Sequence, residues 1–430
     1  MSLQESLFDI VVVGAGPAGL MAAIAAAQHG CRVAVCDRLN NPGRKLLASG
    51  GGRCNITMAV SSSECARSFG RKKSPFIKAV PKQFGPPDVV EFFESIGLKL
   101  IAEDGTNYYP ATNRAADVLG ALTQTAAQRG VHIVPKVDAS EIIVSRGAVC
   151  GVRHAHGVLR ASAGILAGGG CGYLSLGGSN AGCDLAAALG YDIVPPVPGL
   201  VALVSQEAWP GTCAGLSLEW SRLRIANGHD LGDHVQTEGE LLFTHRGISG
   251  PAAIDLSATV NRILLKEESV TIRVVVQRET DTAVWSRRFE QWQQSRGSTR
   301  LFTCLHEYLP VRLTEALMTA CSCPLDIRCA DVSRLAKNTL SEALAQGMKL
   351  RIHASEGWDR AMVMSGGVGT AQIDASTMSG KLHQGLFFAG EVVDCDGPCG
   401  GYNLTWAFGS GWVSGTSAAH YVKTVRGRDH

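Results

Sequence analysis

A glycine-rich stretch near the N-terminus has the residue types and the spacing of a dinucleotide-binding turn. It reads GAGPAG from Gly14 to Gly19, after an apolar β-branched run and before an alanine-rich run. Such a turn lets a pyrophosphate approach bare backbone at Gly16, where the following helix begins. Asp37 ends the next apolar run, and a carboxylate there can bind a ribose 2′-hydroxyl but disfavours a 2′-phosphate. The pattern predicts a βαβ unit that binds an adenine dinucleotide.

Two later glycine turns help to distinguish between NAD and FAD, which both bind to this motif. Ala167-Gly168-Gly169 follows a strand-like run near the middle of the chain, and Gly390-Glu391 follows another near the C-terminus. Turns at such distant strand ends suit a long cofactor that crosses several strands, as FAD does. Glu391 could then bond the ribityl hydroxyls, and the helix after Gly401 would direct its N-terminus at the flavin pyrimidine. We therefore expect FAD, with an NAD-dependent dehydrogenase as the alternative.

A third stretch, SGGGRCN from Ser49 to Asn55, does not resemble a phosphate loop. Its three consecutive glycines leave room for a flat ring against the backbone, and Arg53 and Asn55 could supply polar contacts at the ring edge. Cys54 has no evident partner for thiol chemistry in the sequence, so we interpret it as a buried cysteine. The stretch is expected to contact the flavin end of FAD.

The elements that would position these residues follow two different patterns of strand-like and helix-like runs. Alternating strand-like and helix-like runs fill residues 1–195 and return in 355–430, which predicts one discontinuous, Rossmann-like nucleotide-binding domain of the α/β class. Residues 196–283 are rich in strand-like runs, a pattern typical of a β-barrel or sandwich. Residues 284–354 have a helical pattern. The Rossmann-like domain is therefore expected to carry an insertion.

Composition and charge argue against several classes of function. The 430 residues have a net charge of +2, and the short RKK run at Arg71 to Lys73 is interpreted as a solvated loop, so no nucleic-acid partner is expected. The 14 cysteines lack the spacing of a zinc site, so no metal is expected. The first apolar run follows acidic residues and is interrupted by GAGPAG. We therefore expect no membrane partner and a cytoplasmic protein.

Several sequence blocks resemble a known family. SGGGRCN, LFTHRGISGP from Leu242 to Pro251, SGGVGTAQI and GLFFAGEVVDCDGPCGGYNLTWAFGSG together resemble the YhiN/BaiN-like family of flavoproteins, over nearly the whole chain. The resemblance implies FAD on a glutathione-reductase-like Rossmann domain, interrupted by an inserted β-barrel and a helical subdomain. Family members are described as NAD(P)/FAD-dependent oxidoreductases, and the best-characterised kind reduces C=C bonds in steroid-like bile-acid intermediates. Met58, Gly168 and Cys399 depart from the family pattern, where Asn, a hydroxyl residue and Thr are usual.

The motifs and the resemblance together give a set of candidate site residues. Arg44 and Lys45 follow the second strand and could pair with the FAD phosphates. No catalytic acid or base is assigned, and His245 and Arg53 are the candidates that the motifs offer. The residues expected to bind FAD are Gly14, Ala15, Gly16, Pro17, Ala18, Gly19, Asp37, Arg38, Arg44, Lys45, Ser49, Gly50, Gly51, Gly52, Arg53, Asn55, Val137, Ala167, Gly168, Gly169, Gly390, Glu391, Gly401, Tyr402, Asn403 and Leu404.

The expected function is an FAD-dependent reductase that passes hydride from NAD(P)H through flavin N5 to an unsaturated, largely apolar small molecule. The sequence contains one GxGxxG motif, so NAD(P)H would bind transiently, as a co-substrate, rather than in a domain of its own. Two further alternatives stay open, a flavoprotein that acts in tRNA modification and a non-catalytic, flavin-bound redox sensor. The sequence does not predict the oligomeric state.

Overall fold

The computed structural model describes residues 7–70, 73–103, 105–226 and 235–427. Arg71 and Lys72 of the RKK run lie outside the described residues. The chain divides into two compact units, the first formed by Met1–Val197 with Met362–His430 and the second by Pro198–Ala361. From the sequence, these breaks are expected after residues 195 and 354.

The described strands, in chain order, are β1 (Leu7–Val13), β2 (Val33–Asp37), β3 (Thr57–Met58), β4 (Leu100–Ile101), β5 (Asn107–Pro110), β6 (His132–Pro135), β7 (Ala139–Ser145), β8 (Ala148–His154), β9 (Gly157–Leu166), β10 (Ile193–Gly199), β11 (Leu203–Ser205), β12 (Ser217–Ile225), β13 (Gln236–Thr244), β14 (Gly247–Ser249), β15 (Val270–Val275), β16 (Met348–Ser355), β17 (Val363–Val368) and β18 (Leu386–Phe388).

The described α-helices are α1 (Pro17–Gln28), α2 (Arg44–Ala48), α3 (Ser62–Ser68), α4 (Ser74–Ile77), α5 (Ala79–Gln83), α6 (Pro86–Ser95), α7 (Ala115–Gln128), α8 (Ala181–Ala188), α9 (Trp209–Thr212), α10 (Pro251–Leu264), α11 (Thr282–Ser295), α12 (Leu301–His306), α13 (Val311–Ala320), α14 (Arg334–Gln346) and α15 (Tyr402–Arg426).

The first unit is built on a mixed sheet with strand order β6-β2-β1-β9-β8-β7, and β18 also pairs with β9. β1 runs parallel to β2 and β9, and β18 runs parallel to β9. The central strand β1 is buried from Phe8 to Val13, because α1 and α15 both pack against it. A parallel strand covered in this way needs a nearly continuous apolar sequence, which FDIVVV supplies. The predicted Rossmann-like domain is confirmed.

Helices α1 and α15 bring their backbones into close contact. A Cβ atom added at Gly411 would overlap the carbonyl oxygen of Ala18, and one added at Gly415 would overlap that of Ala22. At the far end of α15, Arg426 pairs with Asp9, a buried aspartate on β1. These contacts hold α15 against α1 and the sheet.

The second unit contains a closed barrel with strand order β11-β14-β13-β12-β15-β16. Its apolar core includes Val270, Ile272 and Val274 of β15, together with Trp285 and Phe289 of α11. β16 follows the helices and pairs with both β15 and β11. The stretch 284–354, expected to be helical, therefore ends in a barrel strand. The predicted inserted barrel is confirmed. Among the described helices, none combines the length and the apolar character needed to cross a membrane.

Candidate cofactor site

Four of the predicted site segments meet at one edge of the sheet in the first unit. Val13 pairs with Cys36 on β2 and with Leu166 on β9, and Leu166 pairs with Phe388 on β18. The parallel strands β1, β2, β9 and β18 therefore end side by side. Ligands of parallel α/β sheets bind outside this carboxyl edge.

The GAGPAG turn has two glycines that permit packing and one that leaves the surface open. A Cβ atom at Gly14 would overlap the carbonyl oxygen of Ala167, and one at Gly19 would overlap that of Gly14. A Cβ atom at Gly16 would meet nothing within 4 Å. Gly16 is also the N-cap of α1, with Pro17 in the first turn and no side-chain cap. The turn, which includes Ala15 and Ala18, therefore presents uncapped backbone N–H groups, as a pyrophosphate requires.

Asp37 lies beside this turn at the end of β2. Its Oδ2 accepts a hydrogen bond from the Ala15 amide at 2.8 Å, and its Oδ1 accepts one from the Leu39 amide at 2.8 Å. Each carboxylate oxygen has a second lone pair for a ribose hydroxyl. Val137 is buried. It lies next to Asp37, since its amide donates to the Asp37 carbonyl oxygen at 2.9 Å. Arg38 instead donates to the carbonyl oxygen of Gly177, at 2.7 Å.

The SGGGRCN stretch forms a tight, left-handed loop. Ser49–Gly52 is a 3₁₀ turn in which Gly50, Gly51 and Gly52 have φ angles of 55°, 66° and 90°, a region that side chains disfavour. A Cβ atom at Gly51 would meet nothing within 4 Å, so this glycine presents open backbone. Cys54 is fully buried, and burial raises the pKa of its thiol to about 12. Ser49 bonds back to the preceding helix α2, because its hydroxyl donates to the Leu46 carbonyl oxygen.

Arg53 and Asn55 leave the loop in different directions. The Arg53 guanidinium is exposed, lies 4.3 Å from the centre of the Tyr109 ring and donates to Asn113 and Glu103. The Asn55 amide nitrogen donates to Asn107 Oδ1 at 3.0 Å.

The side-chain oxygen of Asn55 is buried and has no hydrogen-bond partner within the described ranges. A Cβ atom at Gly401 would lie 2.8 Å from this oxygen. The loop and the N-terminus of α15 therefore meet around an acceptor that a ligand N–H group could satisfy.

Lys45 and Glu391 link two strand ends. Lys45 Nζ lies 2.7 Å from Glu391 Oε2 and 3.4 Å from the Gly170 carbonyl oxygen. Glu391 Oε1 accepts a hydrogen bond from the Met364 amide at 2.6 Å. The cation expected to pair with phosphates thus has a carboxylate partner within the chain. Arg44 is exposed.

Several predicted residues pack around this ion pair. A Cβ atom at Gly169 would lie 3.8 Å from Glu391 Oε2, and one at Gly168 would lie 3.3 Å from Gly182. Gly390 donates its amide to Ser410 on α15 at 2.8 Å. The turns after β9 and β18 are therefore in contact with the segment around Lys45 and with α15.

The N-terminus of α15 is shaped by its own preceding loop. Gly401 is the N-cap with a φ of 89° and has no side-chain cap. Asn403 uses its side chain inside the chain, since Oδ1 accepts from the Gly397 amide and Nδ2 donates to the Gly397 carbonyl oxygen, both at 2.9 Å. Tyr402 and Leu404 are half-buried. The helix therefore offers uncapped N–H groups beside Asn55.

The two catalytic candidates belong to different units. His245 is exposed in the turn between β13 and β14 of the second unit, whereas Arg53 belongs to the first unit. Sequence reasoning also missed Lys73, which was interpreted as a solvated charge. Its ammonium contacts Asp394 and Asp396 instead, and the only available signal was the two aspartates of DCDG. In the part of the chain that the structure describes, no group of three or more His, Cys, Asp or Glu could hold a metal ion.

These features fit FAD. The open backbone at Gly16 and Gly51, the unpaired oxygen of Asn55 and two uncapped helix N-termini lie on segments that follow or pack against the carboxyl edge of one sheet. Their types suit a dinucleotide that carries both a pyrophosphate and a flat ring.

Comparisons with known proteins bear on this fit. The profile of the HI0933-like protein Rossmann domain matches residues 8–417. The chain belongs to this family. A 3-dehydro-bile acid delta(4,6)-reductase from Clostridium scindens is 30% identical over 415 residues, which cover 95% of this chain and 98% of that protein. A ribosomal RNA dihydrouridine synthase from Escherichia coli is 28% identical over 420 residues, covering 94% of this chain and 96% of that protein.

Solved structures with the same fold include two oxidoreductases. The open conformation of a flavocytochrome c3 fumarate reductase has a TM-score of 0.51 at 16% identity, over 97% of this chain and 79% of that one. The 3-ketosteroid-delta4-(5alpha)-dehydrogenase from Rhodococcus jostii has a TM-score of 0.51 at 16% identity, over 97% of both chains. At this identity the likeness shows a shared fold. Family membership and the geometry above together support a flavin-dependent oxidoreductase of the HI0933-like family, with FAD as its cofactor.

Proposed function

We propose that the protein is an FAD-dependent reductase that saturates a carbon–carbon double bond conjugated to a carbonyl group in a largely apolar small molecule, with NAD(P)H as the electron donor. The observation that carries the proposal is the meeting of the open SGGGRCN backbone, the unpaired Asn55 oxygen and the uncapped N-terminus of α15. This combination suits a flat, electron-rich ring.

Different residues of the first unit would bind different parts of the cofactor. Gly14 to Gly19 and Asp37 would hold the pyrophosphate and the adenosine ribose. Glu391, already oriented by Lys45, would accept hydrogen bonds from ribityl hydroxyls. Gly51 and Asn55 would contact the ring, and the partial positive charge at the N-terminus of α15 would stabilise negative charge at the pyrimidine edge. Bound FAD supplies two-electron chemistry at this place.

The substrate class rests on the relatives that match along their whole length. A delta(4,6)-reductase of 3-dehydro-bile acids and a dihydrouridine synthase both saturate a carbon–carbon double bond. A carbonyl group conjugated to that bond makes it an acceptor for hydride. Of the two, the steroid-like, apolar class is favoured here, because the higher identity is to the bile-acid enzyme.

Reduction of the bound flavin tests the proposal. The purified, FAD-loaded protein is mixed anaerobically with NADH or with NADPH, and the bleaching of its flavin absorption is followed. The reduced protein is then reoxidised with 3-oxo-delta4 steroids, simple enones and quinones. Fast bleaching by one nicotinamide and reoxidation by a conjugated ketone, with a saturated product, are the expected results. A colourless protein that binds no FAD would overturn the proposal.

A second candidate is the reduction of uridine in RNA, since two relatives that match along their length are named ribosomal RNA dihydrouridine synthases. The charge of the inserted unit counts against it. Residues 198–361 contain 18 Lys and Arg against 19 Asp and Glu, whereas an RNA-binding insert is expected to be basic. Reoxidation of the reduced protein by a uridine-containing RNA, but by no enone, would favour this candidate.

A further inference from the structure

Lys73 forms a largely buried ion cluster with two aspartates. Its Nζ lies 3.0 Å from Asp394 Oδ1 and 2.5 Å from Asp396 Oδ1, and the three side chains are 25%, 18% and 17% exposed. The Ser365 hydroxyl donates to the same oxygen of Asp396, at 2.9 Å. A buried pair that loses one partner is far more costly than a surface pair. Lys73 is therefore a fixed part of this region.

Asp394 and Asp396 of the cluster lie on a segment that leads directly to the N-terminus of α15. Asp394 is fixed at one end, because its amide donates to the Val368 carbonyl oxygen on β17 at 3.0 Å. Asp396 precedes Gly397, whose backbone makes two hydrogen bonds with the Asn403 side chain in the first turn of α15. A Cβ atom at Gly397 would lie 2.8 Å from Phe69, so the segment has no room to shift towards α3.

The charge balance of the cluster depends on Lys73. Burial alone lowers the pKa of its ammonium, but Asp396 and then Asp394 outweigh burial and raise that pKa. Among the residues that the structure describes, the other titratable groups that face the cluster are Cys395 and Cys65, and burial raises the pKa of both thiols, that of Cys65 to about 12. Neither thiol ionises at neutral pH, so Lys73 supplies the positive charge that the two aspartates share.

We propose that Lys73 is a positioning residue for the flavin: by neutralising Asp394 and Asp396 it holds the 394–401 segment and so the N-terminus of α15. Without this cation, two carboxylates repel each other within the segment. The segment then moves away, and the helix N-terminus no longer stabilises negative charge on the ring. This inference rests on the proposed function, because it assumes that FAD lies against α15.

The test uses the FAD-loaded protein with Lys73→Met, Lys73→Arg, Lys73→Met/Asp394→Asn and a control, Lys381→Met. Lys381 is an exposed lysine of the same unit whose ammonium donates to the Ala371 carbonyl oxygen. FAD release is followed by the recovery of free-flavin fluorescence on dilution, and the midpoint potential is measured by dye equilibration. Lys73→Met is expected to bind FAD about tenfold more weakly or worse, with a lower potential. Lys73→Arg and the double variant should recover much of both, and Lys381→Met should match the wild type.

Distinct outcomes separate the two proposals. A wild-type protein that binds no FAD overturns the proposed function. Wild-type FAD binding together with an unchanged affinity and potential in Lys73→Met overturns the role of Lys73 alone. If Lys73→Met does not fold, the double variant decides, because it removes one of the two repelling charges. A double variant that folds and recovers much of the FAD affinity and potential supports the proposal, and one that folds yet still binds FAD about tenfold more weakly than the wild type overturns it.

Discussion

Lys45 and Glu391, 346 residues apart in the sequence, form an ion pair whose nitrogen and oxygen are 2.7 Å apart. The pair joins the segment after β2 to the turn after β18, and Glu391 also holds the Met364 amide. One carboxylate therefore ties together three parts of the chain at the carboxyl edge of the sheet.

Glu391→Gln is expected to lower the free energy of unfolding by about 1–2 kcal/mol, because it leaves a mostly buried ammonium without its counter-charge. Urea unfolding of the FAD-free protein measures this change. Glu141→Gln, which breaks the exposed pair with Arg153, is the matched control and should change the free energy by no more than about 0.5 kcal/mol. Equal effects of the two substitutions would contradict a structural role for Glu391.

Gly16→Ala should impair FAD binding, whereas Gly19→Ala should impair folding. Gly16 has space for a Cβ atom and an ordinary extended conformation, so Gly16→Ala should fold normally but bind FAD about tenfold more weakly or worse, since the methyl group occupies the pyrophosphate surface. Gly19→Ala should cost about 3 kcal/mol or more of stability, because its methyl group overlaps the Gly14 carbonyl oxygen. Thermal melting and FAD titration distinguish them. Normal FAD affinity in Gly16→Ala would contradict the assignment.

Gly51→Ala can be compared directly with Gly30→Ala. Both glycines are left-handed, with φ angles of 66° and 82°, and neither Cβ atom would meet another atom within 4 Å. Each substitution should therefore cost about 1 kcal/mol of stability from backbone strain. Only Gly51→Ala should weaken FAD binding, because Gly30 follows the far end of α1. Equal FAD affinities in the two variants would show that the SGGGRCN loop does not contact the flavin.

Alkylation should separate Cys54 from Cys399. Burial raises the pKa of the Cys54 thiol to about 12, so it carries almost no thiolate at pH 8, whereas Cys399 is exposed. Iodoacetamide at pH 8, followed by peptide mass spectrometry, should modify Cys399 in the native protein and Cys54 only after unfolding in urea. Cys399→Ser provides the control, since it should lose the fast-reacting peptide. Fast modification of Cys54 would restore it as a candidate nucleophile.

Asp374 should make the stability depend on acid pH. Hydrogen bonds from Ser376, and then from Thr377, lower the pKa of its carboxyl group below 3.8. A lowered pKa in the folded state means that the stabilisation is complete above the unfolded pKa and is lost as the pH falls through the folded one. Urea unfolding from pH 3 to pH 7 should therefore show a difference between wild type and Asp374→Ala that is largest above about pH 5 and shrinks towards pH 3. A difference that stays constant with pH would contradict this.

The sequence predicted the parts of this fold that local pattern controls. The GAGPAG turn, Asp37 and the strands that flank them follow from residue type and short spacing, and the inserted barrel followed from strand texture with the family resemblance. The pairing of strands that are far apart in the sequence could not be predicted in this way. Met348–Ser355 pairs with β11, far earlier in the chain, and a helical pattern just before it concealed that strand.

The local sequence pattern also could not predict which side chains pair with each other. The interpretation of Lys73 as solvated was wrong, because its carboxylate partners lie 321 and 323 residues away. The roles proposed for Arg38 and Lys45 stay predictions, and the structure adds partners to both that no spacing rule indicates. Such pairings depend on which strand ends meet, and that is fixed only when the sheet forms.

The close contact between α1 and α15 fixes how far apart their N-termini lie along the helix direction. Ala18 lies opposite Gly411 and Ala22 opposite Gly415, so the two helices run in the same direction and cannot slide past each other without a clash. α15 begins nine residues before Gly411, whereas α1 begins one residue before Ala18. At 1.5 Å per residue, the N-terminus of α15 therefore extends about 12 Å beyond that of α1. A ligand that touches both helix ends must span this step, as the ribityl chain between the phosphate and the ring of a flavin cofactor can.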